Sequence, residues 1–205
     1  IMSWPPHGPM SVVLLRHLFA RPIKIVLVTF VNQGPVMIEK ILKMIDLHDK
    51  KYGVDYVVIP FIPGWESGMA AFAKDTHLTG VDYYGTQLDE LPLMKEVHTK
   101  EDFYCIVWDC ETSMDPYFRQ FSPLPQIGLS EAGGVPQILP YYQTGALKGY
   151  INGIIGASEY EAIIKQPGFG TAQMDAISTT HIFGIILLII TNIRLLAGKY
   201  RGGKV

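Results

Sequence analysis

The sequence has few cysteines, and this scarcity argues against two kinds of stabilising site. Two cysteines, Cys105 and Cys110, occur among 205 residues. They stand five positions apart on one expected strand and its exit, where side chains point to opposite faces, so we expect no disulfide between them. No second cluster of ligand residues lies nearby in the sequence, so we expect no metal site either.

The sequence also has almost no net charge and lacks the common glycine-rich motifs. A formal net charge of −2 does not provide the concentrated basic surface that nucleic acid binding needs, so we expect no nucleic acid partner. The patterns G-x-G-x-x-G, G-x-x-x-x-G-K-[ST] and G-x-S-x-G, which mark dinucleotide sites, phosphate loops and hydrolase nucleophiles, do not occur. The six histidines contain no i, i+4 pair. We predict no cofactor and no catalytic residue, and we favour a protein that is not an enzyme.

What the sequence does contain is one long charge-free stretch near its end. Between Asp175 and Arg194 there are 18 residues without a charged side chain. About 20 helical residues cross the ~30 Å hydrocarbon core of a bilayer. We therefore predict a membrane anchor over residues 171–198, and the residues that typify its lipid-embedded part are Ile182, Phe183, Ile186 and Ile190. The alternative is a buried core helix of a soluble protein, although a helix without a polar face is unusual in a small domain.

The anchor contains His181 near its start and Asn192 near its end. Polar groups inside a membrane usually face protein, but both lie near enough to an end to reach the interface. Four basic residues follow, Arg194, Lys199, Arg201 and Lys204, against only Lys165 in the twenty residues before the anchor. By the positive-inside rule, the tail at 199–205 is expected in the cytoplasm and the preceding domain on the other side.

Residues 1–135 alternate between short apolar runs and helical patterns. The runs at 23–30 and 56–62 are continuous rather than alternating, which is typical of strands buried on both faces. Further strands are predicted at 103–108 and 126–129. Helices are predicted from 10 to before Pro22 (after a rigid turn at residues 5–9), and at 32–52 (capped by Gly53), 65–76 and 114–121. This order predicts an α/β domain with an open, mostly parallel sheet and flanking helices.

From Pro136 the pattern changes. Residues 138–164 are predicted as one long, glycine-rich helix within a segment 136–170 that ends in a hinge at 166–170. Small residues recur there every four positions, at Gly145, Gly149, Gly153 and Ala157. Such spacing lets another helix approach closely, so we predict an association surface. Alternatively, Gly145 and Gly149 mark a loop or a broken helix, since each glycine costs up to about 1 kcal/mol in a helix interior.

Polar and glycine residues follow the predicted strands. In an open parallel sheet, ligands bind beyond the carboxyl ends of the strands, near helix N-termini. The residues at these positions are Asn32, Gln33, Gly34, Gly64, Glu66, Ser67, Asp109, Gly133 and Gly134. They offer a site for a small polar ligand. Turn residues are, however, expected at strand ends in any fold of this type.

Several short segments together resemble a family of membrane-anchored α/β proteins found in prokaryotic genomes, whose function is unassigned. These segments are KYGVDYV at 51–57, PG at 63–64, AKD at 73–75, YGT at 84–86, LPLM at 91–94, PYYQTG at 140–145, GASEYE at 156–161 and MDA at 174–176. The resemblance covers about residues 10–193 and implies the anchored architecture, with an additional N-terminal membrane helix before Ile1. The sequence departs from the family at 108–111, where a small, glycine-containing segment is usual. The resemblance transfers no catalytic residue.

Two function classes follow from these observations. The first is a non-catalytic, membrane-anchored subunit that packs into a membrane protein assembly through its anchor and glycine-rich helix. Its partners would be membrane lipid and either other membrane subunits or copies of itself. The second is a membrane-tethered enzyme or binder of a small polar ligand that uses the loops at the carboxyl ends of the strands.

Overall fold

The computed structural model describes residues 4–110 and 114–202 of the chain. Their helices and strands are, in chain order, α1 (Trp4–Phe19), β1 (Ile25–Thr29), α2 (Gly34–Leu42), β2 (Tyr56–Phe61), α3 (Glu66–Lys74), β3 (Ile106–Asp109), α4 (Asp115–Phe121), β4 (Gln126–Ser130), α5 (Val135–Gln143), β5 (Leu147–Asn152), α6 (Gly153–Ile163) and α7 (Phe169–Gly202). Short 3₁₀ turns lie between α3 and β3 and before α5. The mixed α/β class predicted from the sequence is confirmed.

All strand pairs in the described residues are parallel, and hydrogen bonds divide the strands into two short sheets. In the first sheet β1 pairs with β2, with Ile25 opposite Tyr56. In the second sheet β4 lies between β3 and β5. The parallel arrangement is confirmed, whereas the expected single sheet is replaced by two.

One apolar core joins the two sheets. Val57 and Ile59 of β2 are fully buried and belong to the same cluster as Trp108 of β3, Met69 of α3 and Ile138 of α5. Val58 is also fully buried. Because successive strand residues point to opposite faces, this confirms that β2 is covered on both sides, as its continuous apolar run predicts.

Two predictions about the first helices are wrong. Residues 5–9 do not form a turn before α1, because α1 already begins at Trp4 and includes Pro9. Pro5 and Pro6 stand in the first turn, where the missing N–H has no partner to lose, whereas Pro9 lies inside the helix. The next helix, α2, ends at Leu42 rather than near residue 52, and His48 and Asp49 adopt positive φ values of 50° and 62°, which no helix continues through. Gly53 therefore does not cap it.

The glycine-rich segment is not one long helix, so that prediction is also wrong. Gly145 has a φ of +76° in the turn after α5, Gly149 lies within β5 opposite Ile127, and Gly153 begins α6 with a φ of +57°. Left-handed backbone is readily adopted by glycine but is incompatible with a continuing right-handed helix. The four small residues, including the buried Ala157 of α6, therefore do not share a helix face, and the broken-helix alternative is what occurs.

Helices α1, α6 and α7 pack side by side with defined directions. The α6 backbone begins beside Met10, whose Sδ lies 3.0 Å from the Gly153 nitrogen, and His17 meets Tyr160 near the other end, so α1 and α6 are parallel. Helix α7 runs antiparallel to α6. Gly168, just before α7, contacts Glu161 near the end of α6. Gly170 lies beside the earlier residue Ala157, because a Cβ on Gly170 would lie only 2.9 Å from the Ala157 carbonyl carbon.

These directions place the exit of α7 relative to the sheets. We call the side on which the strands end, at Thr29, Phe61, Asp109, Ser130 and Asn152, the carboxyl edge, and the opposite side the amino edge. The carboxyl edges of both sheets lie on the same side of the domain. Helix α1 shows this, because it starts near Asp109, the last residue of β3, and ends where Phe19 packs on Tyr56, the first residue of β2. Helix α6 starts at the carboxyl edge, so the antiparallel α7 runs towards that edge and leaves the domain there.

Helix α7 is long and apolar enough to cross a membrane. It has 34 residues, about 51 Å at 1.5 Å per residue. Its apolar part, Phe169–Gly198, has a mean hydropathy of 1.9 in its best window, and none of that window is buried. Ile182 and Phe183 are about 60% exposed, and Ile186 and Ile190 are also exposed. A buried core helix, the alternative considered above, would have covered these side chains.

Candidate functional site

The carboxyl edge holds the sequence-predicted ligand residues, but most of them contact their own neighbours. Asp109, at the end of β3, pairs with His7 Nδ1 and accepts a hydrogen bond of 2.5 Å from Ser11 Oγ. His7 is fully buried, and Ser11 follows one turn later on α1. The first half of α1 therefore covers the end of β3, and the Asp109 carboxylate fastens it there.

The predicted glycines at this edge have packing partners. A Cβ on Gly34 would lie 1.7 Å from Thr29 Oγ1, and one on Gly134 would lie 2.0 Å from Ser130 Oγ. Gly133 is exposed within the 3₁₀ turn Ala132–Gly134. The lack of a side chain at Gly34 and Gly134 therefore lets α2 and the turn before α5 pack closely on the ends of β1 and β4. Asn32 and Gln33 remain exposed beside Gly34.

The segment after β2 links two helices. Ser67 Oγ donates a hydrogen bond of 2.8 Å to the carbonyl oxygen of Gly64. The Glu66 carboxylate accepts two bonds of 2.9 Å from Arg119, which lower the pKa of Glu66 below its usual value. Glu66 therefore ties α3 to α4 at the surface, where solvent screening leaves such a pair little effect on stability.

Two open cavities of about 350 and 360 Å³ lie away from these residues. One is lined by residues of α3 and α4 with 99–101, and the other by 19–22, 48–50 and Asp55. Within residues 4–110 and 114–202, no group of three or more His, Cys, Asp or Glu side chains is placed to hold a metal ion. The strand-end residues lie at one edge, and their contacts are those of a packed structure.

Sequence reasoning missed the polar site where the domain joins α7. Glu161, near the end of α6, is fully buried. Its carboxylate accepts hydrogen bonds from the Gly168 nitrogen at 2.8 Å, the Gly170 nitrogen at 3.0 Å, and the nitrogen and hydroxyl of Thr171 at 2.8 and 2.6 Å. These donors belong to the start of α7, where backbone N–H groups have no partner within the helix.

The electrostatics of this junction favour an ionised carboxylate. Burial alone would raise the pKa of Glu161, but the hydrogen bonds from Thr171, Gly170 and Gly168 outweigh it, and the pKa lies below its usual value. The positive end of the α7 dipole acts in the same direction. Arg16 Nη2 lies 3.8 Å from the carboxylate and donates to the carbonyl oxygen of Gln166 at 2.5 Å. The junction is thus a charged cluster that unites α1, α6 and α7.

A second polar contact begins at His17, the next residue of α1 after Arg16. His17 Nδ1 and the Tyr160 hydroxyl are 2.5 Å apart, and Arg21 Nε donates to His17 Nε2 at 3.0 Å. Burial and the neighbouring Arg21 charge lower the pKa of His17. A neutral imidazole can accept from Arg21 at Nε2 and donate to Tyr160 from Nδ1. Helices α1 and α6 are thus joined to each other, and Arg16 and Glu161 hold the segment 166–170 that the sequence predicted as a hinge.

The sequence carried only a weak signal for this junction. Glu161 is one of two glutamates near the end of α6, and the stretch from Gly168 to Thr171 opens the next helix. Comparison with known protein families, with curated proteins and with solved structures finds no match.

Proposed function

We propose that the chain is a non-catalytic, membrane-anchored subunit that associates with another membrane protein through one face of α7. The observation that carries this proposal is the division of α7 into two faces. The competing function, a small-ligand binder, would use Asp109, Glu66 and Gly34, and these residues are engaged with His7, Arg119 and Thr29. The proposed association surface lies on the anchor, since the glycine-rich segment has no continuous helix to offer.

His181 and Asn192 lie on the same stripe of α7, and the opposite face is aliphatic. At 100° per residue, His181, Gly184, Leu188 and Asn192 fall on one stripe, which we call the polar stripe. The opposite face carries Ile182, Phe183, Ile186, Ile190 and Ile193. The hydroxyls of Thr179, Thr180 and Thr191 are bonded to carbonyls one turn back. The side chains of His181 and Asn192 are the two polar groups of the stripe that can bond to another helix.

Depth in the bilayer makes the polar stripe significant. His181 and Asn192 are eleven positions apart, about 17 Å along the axis. The hydrocarbon core is about 30 Å thick, so the two side chains cannot both lie at its boundaries. At least one Cα must sit several ångströms inside, and we propose that its side chain faces protein, as polar side chains in membranes normally do, rather than reaching back to the interface. Gly184 between them lets a second backbone come close, as small residues do in membrane helix pairs.

The stripe also indicates what kind of partner fits. It continues the face that carries Gly170, Met174 and Ile177, which packs on the domain above. A two-fold pair of copies with the stripe at its axis would bring both α/β domains onto that axis. The stripe is thus better suited to a transmembrane helix of a different protein, lying beneath α1 and α6.

We expect Gly184→Leu to release the chain from its assembly, because the added side chain fills the point of closest approach. The matched control, Ile186→Phe, adds bulk to the opposite, aliphatic face. Light scattering of the chain extracted with its partner from the native membrane in mild detergent should give a large assembly for wild type and Ile186→Phe, and a monomer for Gly184→Leu. Equal masses for the two variants would contradict an association through the polar stripe.

We also propose that the α/β domain faces away from the cytoplasm, since the basic residues that follow the anchor favour a cytoplasmic tail. Protease added to intact cells should then remove the domain and leave a tag on the C-terminal tail protected. Lysed cells provide the control for cleavage of the tag. Protection of the domain with loss of the tag would reverse the assignment.

A further inference from the structure

The direction of α7 decides which side of the domain faces the bilayer. Gly170 is level with Ala157, and helices rise equally per residue, so Met174 is level with Gly153, where α6 follows β5. The charge-free run starts at Ala176, two residues further on. The hydrocarbon boundary therefore comes about 3 Å beyond the carboxyl edge along the helix axis.

From this geometry we propose that the carboxyl edge of the domain rests on the bilayer surface. The proposal rests on α7 spanning the membrane and adds the surface that contacts the lipid. Headgroup layers add about 5–8 Å on each side of the hydrocarbon, so loops at this edge lie at headgroup depth. The charged cluster at Glu161 holds the start of α7 rigidly, so the domain does not swing away from that position.

The side chains at this edge suit contact with a neutral bilayer surface. Val36 is 68% exposed and Ile155 is 55% exposed, and they occupy the first turns of α2 and α6, which follow β1 and β5. The first four residues of helices α2 to α6 contain no lysine or arginine. The contact therefore depends on apolar side chains entering the interface rather than on attraction to anionic headgroups.

The carboxylates at the edge do not oppose this placement strongly. Asp109 is paired with His7, Glu66 is paired with Arg119, and Asp115 accepts a hydrogen bond from the Tyr141 hydroxyl, while Glu131 after β4 adds one further carboxylate. Paired charges lose less on approaching a region of low dielectric than isolated ones. A consequence is that any molecule reaching the strand-end loops must arrive from the membrane interface, not from open solvent.

Spin labels on single cysteines test the proposal in the full chain, reconstituted in phosphatidylcholine vesicles. Labels are placed at Val36→Cys and Ile155→Cys, with Cys105→Ser removing the exposed native thiol. The matched controls are Tyr104→Cys and Ile163→Cys, which are 96% and 77% exposed at the amino edge. Power saturation with oxygen and with a water-soluble nickel chelate reports contact with lipid. A label at Ile186→Cys reports the anchor itself.

We expect the labels at Val36 and Ile155 to be several-fold less accessible to nickel than those at Tyr104 and Ile163, and more accessible to oxygen. Equal nickel accessibility at the two edges, with Ile186 protected, would contradict the contact between the carboxyl edge and the bilayer. The membrane span of α7 would still stand. Nickel access at Ile186 as well would overturn the membrane span and the proposed function with it. Circular dichroism of each labelled chain confirms that it is folded.

Discussion

Replacing Glu161 with alanine is expected to lower the free energy of unfolding by about 3–5 kcal/mol, the usual effect of breaking a buried charged pair. The change removes the acceptor of four hydrogen bonds at the start of α7. It also leaves the Arg16 guanidinium facing a buried gap. Thermal unfolding of the full chain in detergent measures the loss.

Glu161→Gln is the matched variant, because it keeps the shape and one oxygen but removes the charge. One of the two acceptor positions becomes an NH₂ donor facing N–H groups, so we expect a smaller loss of about 1–3 kcal/mol. The position of the loss is also testable. Hydrogen exchange at Gly170 and Thr171 should accelerate in Glu161→Ala, and unchanged exchange there would mean that the carboxylate does not hold the start of α7.

The pH dependence of stability follows from the lowered pKa of Glu161. A carboxyl group whose pKa is lower in the folded state stabilises the fold above its unfolded pKa, about 4.3. That contribution is lost as the pH falls through the folded value. The wild type should therefore exceed Glu161→Gln in melting temperature at neutral pH, and the difference should shrink below about pH 4. Parallel melting curves over this range would contradict the charge argument.

The strands of the domain were predictable because of their composition. The run at 56–62 became β2, Tyr56–Phe61, with three consecutive residues fully buried. β-branched and apolar runs bounded by turn residues are typical of covered parallel strands. The third and fourth predicted strands were also found, within a few residues of their expected ends.

β5 could not be predicted in the same way. The stretch around Leu147–Asn152 is apolar and joins an apolar helix, and a short apolar run cannot be assigned to strand or helix by periodicity alone. The positive φ of Gly145 and Gly153 decides the matter, and that is a property of the folded backbone. Glu161 was missed for a related reason, since its donors are backbone N–H groups, which every sequence contains.

A methyl group at Gly34 is expected to destabilise the chain by about 3 kcal/mol, at the upper end of the usual effect of overpacking. The new Cβ would lie 1.7 Å from Thr29 Oγ1 and 2.4 Å from Thr29 Cβ. Thr29 is buried at the end of β1, and Gly34 begins α2, so either the helix or the strand end must move. Chemical unfolding of Gly34→Ala against wild type measures the effect.

Exchanging the two side chains separates this packing role from a ligand role. Thr29→Gly alone should also destabilise, because a strand glycine has more conformational freedom to lose. Combined with Gly34→Ala, it removes the three Thr29 atoms that lie nearest to the new methyl group. The double variant should therefore be more stable than the sum of the single losses predicts, by about 1–3 kcal/mol. Strict additivity would show that Gly34 does not pack on Thr29, and a bound ligand would then be the better reason for a glycine at the end of β1.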